Sequence, residues 1–268
     1  MALSDSEVLF FLKFSERRWL EQIRDGIISF SCAGAFIEQA ETSGNNEQGD
    51  KHEAVFARLH KSNPKRFEMK IKLGKDLEEI DDGEFVFLRR ESAKHIPIFC
   101  VYAFTVGEAN QNANSCGAGR HNVHHQPDDR MYSGFALYSI RNALDMRYRP
   151  SFLLIRAQTL LTNVRKASIG KGLCVKNHVM EYIDMTGEFF IEPTADYPEL
   201  FVKSKEYDYQ LEYRWCIMDK RLLSNPKRHP LNIGPFINDN EVYMFDAGNG
   251  YEFGLSLEFD TNSKVISI

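Results

Sequence analysis

Short blocks of apolar residues, each closed by a polar or glycine residue, mark out most of this chain. "VLFFLKF" (Val8 to Phe14) reads as an apolar strand, and Ser15 is placed to cap a helix over "ERRWLEQIRD". In that helix Trp19, Leu20 and Ile23 fall on one stripe, and Gly26 ends it. "IISFS" (Ile27 to Ser31) returns as a strand, and a second helix completes the first forty residues. The polar segment Glu41 to Glu53 has loop composition, and a helix is expected from Glu53 to Lys61. Strands are expected at "RFEMKIK" (Arg66 to Lys72), "EFVFLR" (Glu84 to Arg89) and "IPIFCVYAF" (Ile96 to Phe104).

Thr105 to Asp129 offers almost no apolar anchor and is expected to be a long mobile loop without a tightly bound metal. "MYSGFALYSIRNAL" fits helix or strand. Beyond it, "SFLLIR" predicts a strand, "AQTLLTNVRKA" a helix ended by Gly170, and "CVKNHVMEYIDM" another strand. "VYMFDAG" and "YEFGLSLEF" read as strands meeting in a hairpin at Gly248, Asn249 and Gly250, because Asn-Gly favours the positive φ of such turns. There is no repeat and no heptad run. One α+β domain over residues 1–268, with mixed or antiparallel sheet and flanking helices, is the expected fold.

Composition adds exclusions. With 43% hydrophobic and 26% charged residues the chain falls in the ordinary globular range. Its longest apolar stretch, Ile96 to Phe104, is far shorter than the roughly 20 residues of a membrane-spanning helix. The N-terminus lacks the pattern of a secretory signal, so a cytoplasmic location without a membrane partner is expected. Five widely spaced cysteines, with no C-x-x-C pair, suggest reduced thiols rather than a disulfide framework. The net charge is −5, yet from Arg141 to Lys176 eight basic residues face one acid, Asp145. Those cations either solvate a helix or hold phosphate, with Arg149 and Arg156 as the leading residues for the second role.

Three constellations offer chemistry. His121, His124 and His125 stand near Cys116, Asp128 and Asp129, but without H-E-x-x-H or paired cysteines. "GDKHE" brings together Asp50, His52 and Glu53, as metal ligands of a nuclease or as a helix cap. "YDYQLEYRWCIM" (Tyr207 to Met218) places Gln210, Glu212 and Arg214 at alternate positions. As a strand it would gather those three on one face and bury Leu211, Tyr213 and Trp215 on the other. The polar face is either an ion pair in water or a site.

The Gln210-Leu211-Glu212 spacing resembles the Q-x-E motif of ADP-ribosyltransferases. The chemistry suits it: breaking the nicotinamide–ribose bond of NAD builds positive charge on the ribose, and a fixed carboxylate stabilises that charge. The opening "FLKFSERRWLEQIRDGIISFS" is similar to the start of ADP-ribosyltransferase-like toxins, with Lys13 where those families carry the His or Arg that binds the NAD ribose. Tyr132 and Ser133, in "RMYSGFALYS", resemble the middle motif, whose aromatic residue stacks on nicotinamide.

From Val8 to about Met218 the chain also resembles the bacterial domain-of-unknown-function family numbered 2971, often found near phage-defence genes. That likeness rests on "LKF…IRDGIISFS", the G-D-x-x-E of Gly49 to Glu53, "IFCVYAF", and the K-x-x-x-Y-x-Y-Q-x-E-Y-R of Lys203 to Arg214. The resemblances imply a toxin or phage-defence effector that uses NAD to modify a macromolecule, RNA or DNA included, with an antitoxin or defence-system partner. Glu212 and Gln210 would be catalytic, while Lys13, Tyr132, Ser133, Arg149 and Arg156 would bind the cofactor. A metal-dependent nuclease built on Asp50, His52 and Glu53, and a non-catalytic sensor or binding module, are the competing readings.

Overall fold

A computed structural model describes residues 7–43, 50–107, 113–115, 120–125, 150–219, 228–236, 241–246, 255–260 and 265–267. The fold is α+β, with mostly antiparallel sheets and helices between the strands. It opens with β1 (Val8–Glu16), α1 (Arg17–Arg24), β2 (Ile27–Cys32) and α2 (Ala33–Ser43), as the apolar blocks predict. The capping detail differs: Ser15 belongs to β1, and Glu16 precedes α1 without a side-chain cap. Gly26, at φ 88°, makes the left-handed turn into β2.

Two expectations are reversed in the next stretch. Residues expected to be helical form β3 (Val55–His60), and the expected strand at Arg66 to Lys72 lies in α3 (Pro64–Leu73). Ala54 has φ 61°, which prevents a helix from running through it, and β3 then buries both faces. Val55 packs with Phe87 and Met185, whereas Phe56 and Leu59 pack with Met69, Val86 and Leu88. In α3, Asn63 accepts a hydrogen bond from the Lys65 N–H, Pro64 occupies the first turn, and Gly74 closes the helix at φ 55°.

The chain continues through β4 (Leu77–Asp82), β5 (Phe85–Arg90), β6 (Pro97–Thr105), β7 (Ala113–Ser115), β8 (Arg120–His125), β9 (Pro150–Arg156) and α4 (Ala157–Gly170). The last strands are β10 (Val175–Val179), β11 (Glu181–Ile183), β12 (Phe189–Phe190), β13 (Val202–Ser204), β14 (Glu212–Ile217), β15 (Arg228–Asn232), β16 (Val242–Asp246), β17 (Leu255–Asp260) and β18 (Val265–Ser267). "CVKNHVMEYIDM" is thus two strands parted at Met180, which pair with different neighbours, β14 and β13. The expected loop at Thr105 to Asp129 contains β7 and β8, whose order comes from backbone pairing that composition does not reveal. β16 pairs with β9 and β17 with β8, so those two strands are not partners in a hairpin.

Two compact units divide the chain, each built from separated segments. The first comprises residues 1–25, 102–162 and 235–268. In it β1 pairs antiparallel with the end of β6 and with β9, and β9 pairs with β16. Phe10, Phe11 and Leu12 are buried in succession, as are Phe152 to Ile155, so these strands are covered on both faces. β7, β8, β17 and β18 make a further four-stranded sheet.

The second unit comprises residues 26–101 and 163–234. It holds β2 paired with β15 and with the start of β6, β14 paired with β10, the sheet β12-β3-β5-β4, and the parallel pair β11–β13. Tyr213 and Trp215 are buried as the alternation predicts, their rings 4.6 Å apart, and Phe99 lies 5.8 Å from Trp215. No described helix is long and apolar enough to cross a membrane.

Candidate functional site

The stretch that holds Gln210 and Glu212 is not one strand. Lys205–Gln210 forms a 3₁₀ turn, Leu211 adopts a left-handed conformation at φ 39°, and β14 begins only at Glu212. Gln210 therefore leaves the expected strand face, and Leu211 is half-buried rather than buried with Tyr213 and Trp215. A left-handed non-glycine residue costs roughly 1–2 kcal/mol, but it lets the chain pass from turn to strand within a single position. The first residue of β14 is fixed from both sides: the Glu212 N–H donates to Tyr182 Oη at 2.9 Å, and its carbonyl accepts from the Met180 N–H at 2.8 Å.

Glu212 and Arg214 do share a face of β14, as period two requires, and that face is dry. Arg214 is 1% exposed, Glu53 3%, Asp50 4%, Glu212 7% and Lys203 8%. The Arg214 guanidinium donates from Nε to Glu212 Oε1 at 2.7 Å, and from Nη1 and Nη2 to the two Glu53 oxygens at 2.5 and 3.1 Å. Nη1 also donates to the Leu200 carbonyl at 2.7 Å. Lys203, at the centre of β13, donates from Nζ to Gln210 Oε1 at 2.6 Å and to Glu212 Oε2 at 3.3 Å. The Q-x-E pair is thus brought together, but by convergence on one ammonium and not by strand periodicity.

The acidic side of the site comes from a turn. Asp50 accepts the His52 N–H on Oδ1 at 2.8 Å, and the Glu53 N–H bonds the Asp50 carbonyl at 3.1 Å. Asp50 therefore shapes the turn into β3 and does not cap a helix. The Arg89 guanidinium donates to the Glu53 carbonyl at 3.3 Å and holds the turn from behind. Of the three residues in this motif, Glu53 gives its carboxylate to Arg214, while the His52 ring stacks on Phe87 at 4.1 Å. Among the described residues no group of three or more His, Cys, Asp or Glu side chains is arranged to hold a metal ion.

Burial and charge set each group's protonation. Burial alone would raise Glu212, but Arg214 and Lys203 outweigh it, and a hydrogen bond from Cys100 helps, so its carboxyl is held well below the usual range. Asp50 goes the other way: burial raises it, with only partial opposition from Lys203 and Arg214. Burial would lower Lys203, yet Glu212, Glu53 and Asp50 keep it charged. Tyr182 is raised by burial and then by the Glu212 charge, so its hydroxyl stays protonated. Burial lowers His52 to about 4, with Lys51 and Arg89 adding to the effect.

The other sequence-predicted residues belong to the first unit or lie outside the described residues. Lys13 lies in β1 of the first unit, opposite Leu153, and Arg156 ends the neighbouring β9 opposite Phe10. Tyr132, Ser133 and Arg149 lie outside the described residues, as do Cys116, Asp128, Asp129 and the Gly248-Asn249-Gly250 turn. His121, His124 and His125 fall in β8, in register with Phe259, Ser256 and Leu255, so the four-residue spacing of His121 and His125 does not align them as it would on a helix. Cys32, Cys100, Cys174 and Cys216 are free thiols.

Sequence reasoning left Lys203 and Tyr182 out of the site. The first could have been found from its place at the head of the same motif as Glu212, whereas nothing local marked Tyr182. A groove of about 610 Å³ lies in the same unit, lined by Lys176, His178, Glu181, Ile183, Phe201 and Val202 among others. Glu181, Ile183 and Val202 alternate along β11 and β13 with Tyr182 and Lys203, which puts the groove on the opposite face of that strand pair from Glu212. Comparison with protein-family models, with curated proteins and with solved structures finds no match to this chain.

Proposed function

We propose that the chain is an ADP-ribosyltransferase-like enzyme, a toxin or phage-defence effector that cleaves NAD and transfers ADP-ribose to a macromolecule. One observation carries this reading: Gln210 and Glu212 converge on a single positive charge, the Lys203 ammonium. A positively charged ribose in the transition state needs such a point, a fixed carboxylate with a neutral hydrogen-bonding group beside it. Arg214, itself fixed by Glu53, holds the Glu212 carboxylate in place, so little reorganisation is required as charge develops. Substrate entry displaces the Lys203 ammonium toward the Tyr207 ring, which already lies 4.9 Å from it. Gln210 orients the acceptor.

Glu212→Gln tests the reading, because it keeps shape and can keep one of the two cation hydrogen bonds while removing charge. NAD cleavage per folded molecule should fall by roughly two to three orders of magnitude, the scale for losing a preorganised electrostatic group. NAD binding should change little, since the charge it answers appears mainly in the transition state. Unchanged cleavage together with a lowered melting temperature would make Glu212 structural and end the proposal.

A further inference from the structure

We infer that Asp50 takes the proton from the acceptor nucleophile at the Glu212 site, an inference that rests on the transferase reading above. Three carboxylates and two cations are buried together here, and they are not equivalent. Both Glu53 oxygens receive Arg214, and the two Glu212 oxygens receive Arg214 and Lys203. Every oxygen of these two carboxylates thus already faces a positive charge. Asp50 is as buried as they are, yet its carboxylate accepts a single hydrogen bond among the described residues, from the His52 N–H to Oδ1. Its other oxygen is, among the described residues, bonded by neither a cation nor a backbone donor.

The turn itself needs only an oxygen acceptor at position 50, which asparagine would supply equally. An aspartate there adds a negative charge that burial penalises and that the two cations, already shared by Glu53 and Glu212, do not balance. A carboxylate in that condition binds a proton more readily than an exposed one, as a base working near neutral pH must. Its placement is tied to Glu212 through the same turn, because Glu53, three residues on, is held by the guanidinium that also holds Glu212. Lys203 acts electrostatically on both Asp50 and Glu212.

The step balances without a further reactant. The bond from the ribose C1′ to the nicotinamide nitrogen breaks and its electron pair stays on nicotinamide. A lone pair of the acceptor oxygen or nitrogen forms the new bond to C1′. The proton that the acceptor sheds goes to Asp50 and from there to solvent.

Asp50→Asn keeps the turn and removes the base. With wild-type NAD cleavage established first, transfer to water or to a hydroxyl acceptor should fall about 10²–10⁴-fold in the variant, with NAD affinity retained. Azide, an anionic nucleophile with no proton to lose, should react in Asp50→Asn at close to the wild-type rate, whereas Glu212→Gln should lose the azide reaction too. Full transfer to water in Asp50→Asn, or an equal loss with water and azide, would overturn the role of Asp50 while leaving the transferase reading in place. Absence of NAD cleavage by the wild type would instead remove the reading on which the role rests.

Discussion

Ion pairs of nearly identical length occur in two places in the second unit and do different work. Around α3, β4 and β5, Arg66 grips Glu79 at 2.7 and 2.9 Å, Lys70 meets Glu79 at 3.0 Å, Lys61 meets Asp81 at 2.6 Å and Arg58 meets Asp82 at 2.8 Å. Around β14, Arg214 grips Glu53 and Glu212 at 2.5 to 3.1 Å. The first set is partly to largely exposed, and the second is almost wholly buried. Separation therefore says little about energy here; the surrounding medium decides. A unit pair 4 Å apart interacts by about 1 kcal/mol in water and about 4 kcal/mol at an effective dielectric near 20. The exposed pairs contribute a few tenths and restrain surface geometry. The buried ones cost several kcal/mol in desolvation and tolerate no missing member.

The largest test of that contrast removes the centre of the buried set. Arg214→Met leaves Glu53 and part of Glu212 without a counter-charge, and should lower unfolding free energy by about 3–5 kcal/mol in urea titrations. Adding Glu53→Met should recover much of the loss, because the second unpaired charge goes with it. A loss below about 1 kcal/mol for Arg214→Met would mean that water reaches the cluster.

A smaller effect comes from pH. His52 has its folded value lowered to about 4, against 6.5 when unfolded. Between those values the unfolded chain binds a proton that the folded chain refuses, so stability falls as pH drops from 6.5 to 4. With allowance for the part of His52 that water reaches, the effect is about 1–2 kcal/mol, at roughly 2–4 °C of melting temperature per kcal/mol. Glu212 adds to the acid side: its depressed value gives stability that is present above 4.5 and lost as pH falls further. Asp50, raised, works in the opposite sense. Melting curves of His52→Gln should lose the slope between pH 6.5 and 4 and keep the fall below it.

The smallest effect belongs to the exposed set. Lys61→Ala should change stability by less than about 1 kcal/mol, and the change should vanish in roughly 1 M salt. A larger or salt-insensitive loss would mean that the Lys61–Asp81 pair is less solvated than its exposure implies.

Most strands with unbroken apolar runs, β1, β5, β6 and β9, were legible because burial on both faces leaves no polar interruption to misread. β3 and α3 were exchanged for a physical reason. "RFEMKIK" alternates in period two, yet Asn63-Pro64 and Gly74 bracket it as a helix, and end signals outweighed the pattern between them. "AVFARLH" carried no such bracket, and its strand character depends on partners, β5 and β12, that lie elsewhere in the sequence. At the site, Asp50 and Glu53 were visible as acids of a short polar motif, and Gln210, Glu212 and Arg214 as polar residues at alternate positions. Their union was not, because nothing within ten residues of Glu53 announces Arg214. Lys203 stood at the head of the motif that ends in Glu212 and Arg214, but its contacts with Gln210 and Glu212 depend on the turn at Lys205–Gln210, which the alternating pattern concealed.

The contact between Glu53 and Arg214 spans 161 positions of the chain. During synthesis at about 5–20 residues per second, Glu53 leaves the ribosome roughly 8–30 seconds before its partner is made. Over that interval Asp50 and Glu53 are ordinary hydrated acids on a nascent polypeptide, and the left-handed step at Leu211 does not yet exist. Contacts this distant in sequence close late, after local turns and hairpins have formed. A nascent or truncated chain that stops short of Arg214 thus carries the acids without their partner, and the buried cluster exists only once the polypeptide has been extended through β14 and has closed on itself.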